Sequence, residues 1–120
     1  MDIIVGKRIL VVEDEALVAA MLVDILEELR AKVVGPAATL EQALAMAEGT
    51  LIDAAILDVN LRNVRVDPLA DKLRERGVPL VFTTGYGTSI PATTKQAPVL
   101  DKPYSGARVA SALHICLTSR

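Results

Sequence analysis

Asp58 closes an apolar run, Ala54-Ala55-Ile56-Leu57, with a carboxylate. Three other runs also end in reactive groups. Arg8-Ile9-Leu10-Val11-Val12 leads into Glu13-Asp14, Leu80-Val81-Phe82-Thr83 into Thr84-Gly85, and Pro98-Val99-Leu100-Asp101 into Lys102-Pro103. Such runs read as strands buried on both faces. In an open parallel sheet the carboxyl ends of the strands lie along one edge, where these folds bind ligands. Three acids, a hydroxyl and an ammonium are therefore expected to converge on one point, with the makings of a divalent-cation and phosphoryl site.

The chemistry follows from the residue types. Packed carboxylates repel one another and raise each other's pKa. A divalent cation relieves that repulsion, and Mg²⁺ takes hard oxygen ligands, typically one or two carboxylates plus a phosphate. Glu13, Asp14 and Asp58 are the candidate metal ligands. The backbone carbonyl of Asn60 joins them, left free where Val59 and Asn60 turn away from the strand. Asp58 is the candidate nucleophile, since carboxylates form aspartyl-phosphates. Lys102 supplies a compact mobile charge that can pair with Asp58 at rest and with a phosphoryl oxygen afterwards. Thr84 can donate its hydroxyl hydrogen to another phosphoryl oxygen. Gly85 leaves room for the phosphodonor, and Pro103 directs the chain's exit.

These groups need elements to hold them, and strand and helix patterns alternate from end to end with no linker or repeat. That indicates a single α/β domain, residues 1–120, built on a parallel sheet. Strands are expected at about 8–13, 32–34, 53–58, 79–83 and 98–101. The first helix, about 15–30, carries apolar residues at 17, 18, 21, 22, 25, 26 and 29, a helical stripe. The short strand at 32–34 stops at Gly35-Pro36. Thr39 and Gln42 form a capping-box pattern for a helix ending at Gly49. Asp67-Pro68 gives an N-cap and first-turn proline for a helix closed by Gly77. A last helix, about 105–118, turns Val109, Leu113 and Cys116 or Leu117 inward. The fourth helical slot, 86–96, holds Gly87, Pro91 and many Thr and Ser, so a short or irregular helix is expected there.

Composition narrows the function class. Thirteen basic residues stand against fifteen acidic ones, a net charge of −2, which argues against a nucleic-acid surface. At 52% hydrophobic the chain can fill a core, but with no Trp, one Phe and two Tyr that core is aliphatic. The single Cys116 cannot form an internal disulfide, which suits a reducing compartment. No apolar run approaches the ~20 residues that span a bilayer, and the first residues do not read as a signal peptide. The expectation is a soluble cytoplasmic domain without membrane or nucleic-acid partners.

Together, Glu13-Asp14, Asp58, Thr84-Gly85 and Lys102-Pro103 resemble the motif set of bacterial two-component response-regulator receiver domains, over essentially the whole chain. The resemblance implies a doubly wound, flavodoxin-like (βα)₅ fold with strand order 2-1-3-4-5. It also implies Mg²⁺-dependent transfer of a phosphoryl group to Asp58 from a sensor histidine kinase or a histidine phosphotransfer protein. Val78 to Gly87 further resembles the Phe-Ala-Thr-Gly signature of certain stand-alone receivers that work with kinases of the HWE or a related type, with Thr83 where the signature has Ala. One departure matters. Most members carry Tyr or Phe three residues before the lysine, where the ring swings inward as the threonine moves. Here that position is Val99, so transmission is expected to run through the 86–96 segment.

Other readings compete. Acids at strand ends are commonly caps, and Asp14 is expected to cap the first helix as well. His114 reads as a packed or surface histidine, Cys116 as a small core hydrophobe, and Arg62, Arg65, Arg74 and Arg76 as a solvated face. Thr83 to Thr88 superficially resembles a flavin-phosphate loop but follows the wrong strand, and Gly85-x-Gly87 is too short for a dinucleotide fingerprint. The leading function is a phosphorylatable switch that is not an enzyme in the ordinary sense. It would signal by contact with an unknown downstream protein or serve as a phosphate sink. The alternatives are a Mg²⁺-dependent small phosphatase and a non-signalling binding module. The phosphatase would want an acid two residues after its nucleophile, where this chain has Asn60.

Overall fold

The five expected strands form one parallel sheet in the computed structural model, which describes residues 2–61, 64–85, 97–102 and 105–118. The strands are β1 (Arg8–Val12), β2 (Lys32–Ala37), β3 (Ala54–Asp58), β6 (Leu80–Thr84) and β7 (Val99–Asp101). Their order is β2-β1-β3-β6-β7, which is 2-1-3-4-5 among the sheet strands, as expected. Helices α1 (Ala16–Glu28), α2 (Leu40–Gly49), α3 (Asp67–Glu75) and α4 (Gly106–Thr118) cover the two faces. The expected irregular helix at 86–96 lies outside the described residues. Among those described, no helix is long and apolar enough to cross a membrane.

The pleat sorts the core into two layers. Leu10, Leu57, Leu80 and Phe82 pack under Ala43, Ala47, Leu69 and Leu73 of α2 and α3. Ile9, Val11, Ile56, Val81 and Leu100 pack under Leu22 and Leu26 of α1 and Val109 and Leu113 of α4. Each fully buried aliphatic side chain contributes about 1.5–3 kcal/mol relative to exposure. All five residues of β3 are buried, as are all five of β6, so the two strands that end in Asp58 and Thr84 are clamped from both sides. Because side chains alternate, Asp58 shares a face with Ile56, and Thr84 shares the opposite face with Phe82.

Several boundaries differ from expectation for identifiable reasons. β2 does not stop at Gly35-Pro36 but runs on to Ala37, which pairs with Val12 after a register shift. β2 is an edge strand, where a proline's missing N–H costs no ladder bond. Gly35 makes the irregularity possible: its φ is +98°, and a Cβ there would meet the Val11 carbonyl oxygen at 3.0 Å. The Thr39 cap forms, with Oγ1 accepting the Gln42 N–H at 3.1 Å, but the Gln42 side chain reaches Ala38 N–H instead of completing the box on Thr39. The N-cap of α3 is Val66, not Asp67; Asp67 sits in the first turn and its carboxylate is held by Arg65. Gly77, at φ +77°, closes that helix in a Schellman motif, with Gly77 N–H on Arg74 O and Val78 N–H on Leu73 O.

Beyond Asp58 the chain does not simply turn away. β4 (Asn60–Leu61) pairs antiparallel with β5 (Val64–Arg65) in a small ribbon that the residue pattern did not indicate.

Candidate functional site

Three of the four strand ends meet at one point, those that lead into Glu13-Asp14, Asp58 and Lys102. Glu13, Asp14 and Asp58 each bring a carboxylate oxygen within 4.8 Å of the other two. Lys102 enters from the neighbouring side, its Nζ 2.9 Å from Glu13 Oε2 and 3.1 Å from Asp58 Oδ2. Backbone pairing fixes these positions. Val59 N–H bonds Thr83 O at 3.0 Å, and Lys102 N–H bonds Thr84 O at 3.0 Å, so β3, β6 and β7 stay in register up to the site. Glu13 lies just past β1, where its N–H bonds Ala37 O, and its Oε1 accepts the Glu15 N–H at 3.1 Å.

The electrostatics are those of acids short of counter-charge. Glu13 is 2% exposed and Asp58 4%. Burial pushes the Glu13 carboxyl up to about 7; the Asp58 charge adds to the rise, while Lys102 and the Glu15 amide oppose it. Burial works against the Lys102 ammonium, but Glu13 and Asp58 outweigh it and hold its pKa above the usual lysine range. Lys102 is therefore charged at any ordinary pH, and it faces more carboxylates than it can neutralise.

Two contacts fall on residues that the sequence pattern did not single out. Glu15 Oε1 lies 3.3 Å from Lys102 Nζ, a further carboxylate on the same ammonium. Thr84 is buried, and its Oγ1 donates to Asp101 Oδ1 at 2.9 Å. The available signal for Glu15 was its adjacency to the acidic pair; for Asp101 it was a carboxylate ending the last apolar run. Thr83, the register partner of Asp58, keeps a buried hydroxyl with no hydrogen-bond partner among the described residues.

The remaining expectations divide. Asp14 is not the cap of α1: that position belongs to Glu15, without a side-chain cap bond. His114 sits at the surface, paired with Asp2 at 3.0 Å. Cys116 is a buried free thiol that burial pushes up to about 11, so it is inert near neutrality. The arginines are not simply a solvated face. Arg74 lies over the Phe82 ring, 5.7 Å from its centroid, and Arg76 donates to Ala47 O. Arg62, Tyr86, Pro103 and Tyr104 lie outside the described residues.

Known proteins carry the same arrangement of elements. Residues 9–113 match the family model described as response regulator receiver domain. The transcriptional regulatory protein PdtaR of Mycobacterium tuberculosis is 33% identical over 86 residues, which is 71% of this chain and 42% of that protein. The chain thus spans less than half the length of this curated relative. The solution structure of SdrG from Sphingomonas melonis Fr1 superposes with a TM-score of 0.87 at 45% identity, covering 94% of this chain and 98% of that one. The BeF3-activated conformation of SdrG gives a TM-score of 0.79 at 42% identity, covering 95% and 98%.

Proposed function

Because the chain belongs to the response regulator receiver domain family, we propose that it is a phosphorylatable switch whose phosphoacceptor is Asp58. The observation that carries this reading is the Lys102–Asp58–Glu13 contact at the sheet edge, with Asp14 alongside. A buried carboxylate held beside an ammonium is positioned to attack phosphorus. The Asp58 oxygen forms the new O–P bond as the P–N bond of a donor phosphohistidine breaks, and the imidazole keeps that electron pair. Lys102 then exchanges a carboxylate for a phosphoryl oxygen, and the Thr84 hydroxyl supplies a second donor.

Glu13, Asp14 and Asp58, with the backbone carbonyl of Asn60, are the residues that would hold Mg²⁺. Their clustered hard oxygens, opposed by one ammonium, fit that ion's preferences. When bound, Mg²⁺ supplies positive charge against the phosphoryl oxygens.

Receiver domains are signalling domains and not classical enzymes, and they work with a histidine kinase or phosphotransfer partner. We assign this chain a sensor kinase of the HWE or a related type, or a histidine phosphotransfer protein, as donor. The resemblance of the Phe82–Gly85 stretch to the Phe-Ala-Thr-Gly signature supports that choice. Output through contact with a downstream protein, or service as a phosphate sink, in a cytoplasmic setting completes the proposal. Incubation with labelled acetyl phosphate and Mg²⁺ tests it. A persistent, acid-stable protein adduct is expected. Rapid phosphate release without an adduct would mean a phosphatase, and no labelling at all would mean a binding module.

A further inference from the structure

Thr84 and Asp101 are direct register partners on β6 and β7, and the threonine hydroxyl donates to the aspartate at 2.9 Å. Thr83, the preceding residue, is the register partner of Asp58. By the alternation of strand side chains, Thr83 shares the Asp58 face of the pleat, and Thr84 and Asp101 share the other. The hydroxyl assigned to the phosphoryl group is therefore engaged on the far side of its strand. Asp101 is exposed and Thr84 is buried, so the bond ties the switch residue outward to a solvated anchor. Val99, two residues earlier on β7, faces the same layer as Phe82 and offers no ring to report or restrain the threonine.

We propose that Asp101 is a resting-state latch: its carboxylate holds the Thr84 hydroxyl away from Asp58, and activation requires that bond to break. This rests on the reading of Asp58 as phosphoacceptor and Thr84 as its hydroxyl donor. The latch stabilises the resting arrangement alone, because one hydroxyl hydrogen cannot serve Asp101 and a phosphoryl oxygen together. It therefore lowers the fraction of molecules competent to bind a phosphoryl mimic and weakens apparent affinity by that fraction. Hydrogen bonds to charged groups are the stronger kind, and solvent around Asp101 tempers this one, so the expected effect is roughly five- to tenfold.

The test is beryllofluoride binding with Mg²⁺, followed by titration calorimetry or NMR, on the unsubstituted chain, Asp101→Ala, Asp101→Asn, Thr84→Val and the Thr84→Val/Asp101→Ala double variant. Asp101→Ala should bind about five- to tenfold more tightly than the unsubstituted chain. Asp101→Asn, which keeps an acceptor oxygen but loses the charge, should fall between. In the Thr84→Val background the Asp101→Ala change should have no effect, because no hydroxyl remains to be latched. Equal tightening in both backgrounds would mean that Asp101 acts only as a nearby negative charge, and would overturn the latch. Unchanged or weaker binding by Asp101→Ala would also overturn it. Failure of the unsubstituted chain to bind beryllofluoride at all would instead overturn the phosphoacceptor reading, and the latch with it.

Discussion

Lys102 reaches Asp58 across the carboxyl edge of the sheet, 3.1 Å from Nζ to Oδ2, while the backbone N–H of the same lysine is tied to Thr84 O. One residue thus couples the charge of Asp58 to the strand that carries Thr84. Because the Lys102 backbone is anchored, its ammonium can change partners at the site without moving the strand.

Lys102 also pairs with Glu13, whose carboxylate is wholly buried. Removing one partner of a buried pair leaves the other charge uncompensated. Lys102→Ala should destabilise the fold at pH 8 by about 1–3 kcal/mol, less than the full cost of a broken buried pair because Glu13 can take up a proton. Urea denaturation at pH 8 and pH 5.5 checks this: the loss should shrink at the lower pH. An equal loss at both would show that the lysine acts only by packing.

Glu13 gives the metal-free domain a pH dependence of definite sign. Its carboxyl titrates at about 7 when folded against an ordinary value of 4.5. Between those values the folded state keeps a proton that the unfolded state has released. The associated stability is fully present below about pH 4.5 and is lost as pH rises through about 7. Denaturation midpoints should therefore fall from pH 5 to pH 8. Glu13→Gln should flatten that slope, and so should millimolar Mg²⁺, which favours the ionised carboxylate. A Glu13→Gln profile parallel to the unsubstituted one would contradict the assignment.

The last turn of α1 offers a test away from the site. Arg30 follows the helix at φ +64°, where the chain closes with Arg30 N–H on Glu27 O and Ala31 N–H on Leu26 O. That is the position glycine usually occupies, and a Cβ there is strained. Arg30→Gly should raise stability by about 0.5–1 kcal/mol despite the added freedom of the unfolded chain. A lower melting temperature would show that the arginine side chain makes a contribution larger than the strain.

The residues that could be read in advance are those at the ends of apolar runs. Burial on both faces of β3 and β6 leaves only their last residues free to do chemistry, so Asp58 and Thr84 announce themselves. Asp101 did not, because its importance lies in pairing with Thr84, and strand register is invisible before the sheet is assembled. The extension of β2 through Pro36 escaped notice because proline argues against a strand only where its N–H is needed, and β2 is at the edge. Asp67 has the chemistry of an N-cap, yet Arg65 two residues earlier claims its carboxylate and the helix starts one residue sooner than that cap would allow. The Asn60–Arg65 ribbon is too short to leave a periodic signature.

The central claim is that Asp58 takes the phosphoryl group. The direct measurement is intact-mass spectrometry after treatment with acetyl phosphate and Mg²⁺, followed by borohydride reduction, which turns an acyl phosphate into an alcohol, and peptide mapping. A single phosphoryl adduct is predicted, with homoserine at position 58 after reduction. Asp58→Asn should fold with equal or greater stability, since one carboxylate of the cluster is neutralised, and should take up no phosphoryl group. An undiminished adduct on Asp58→Asn, or reduction mapping to another residue, would contradict the account.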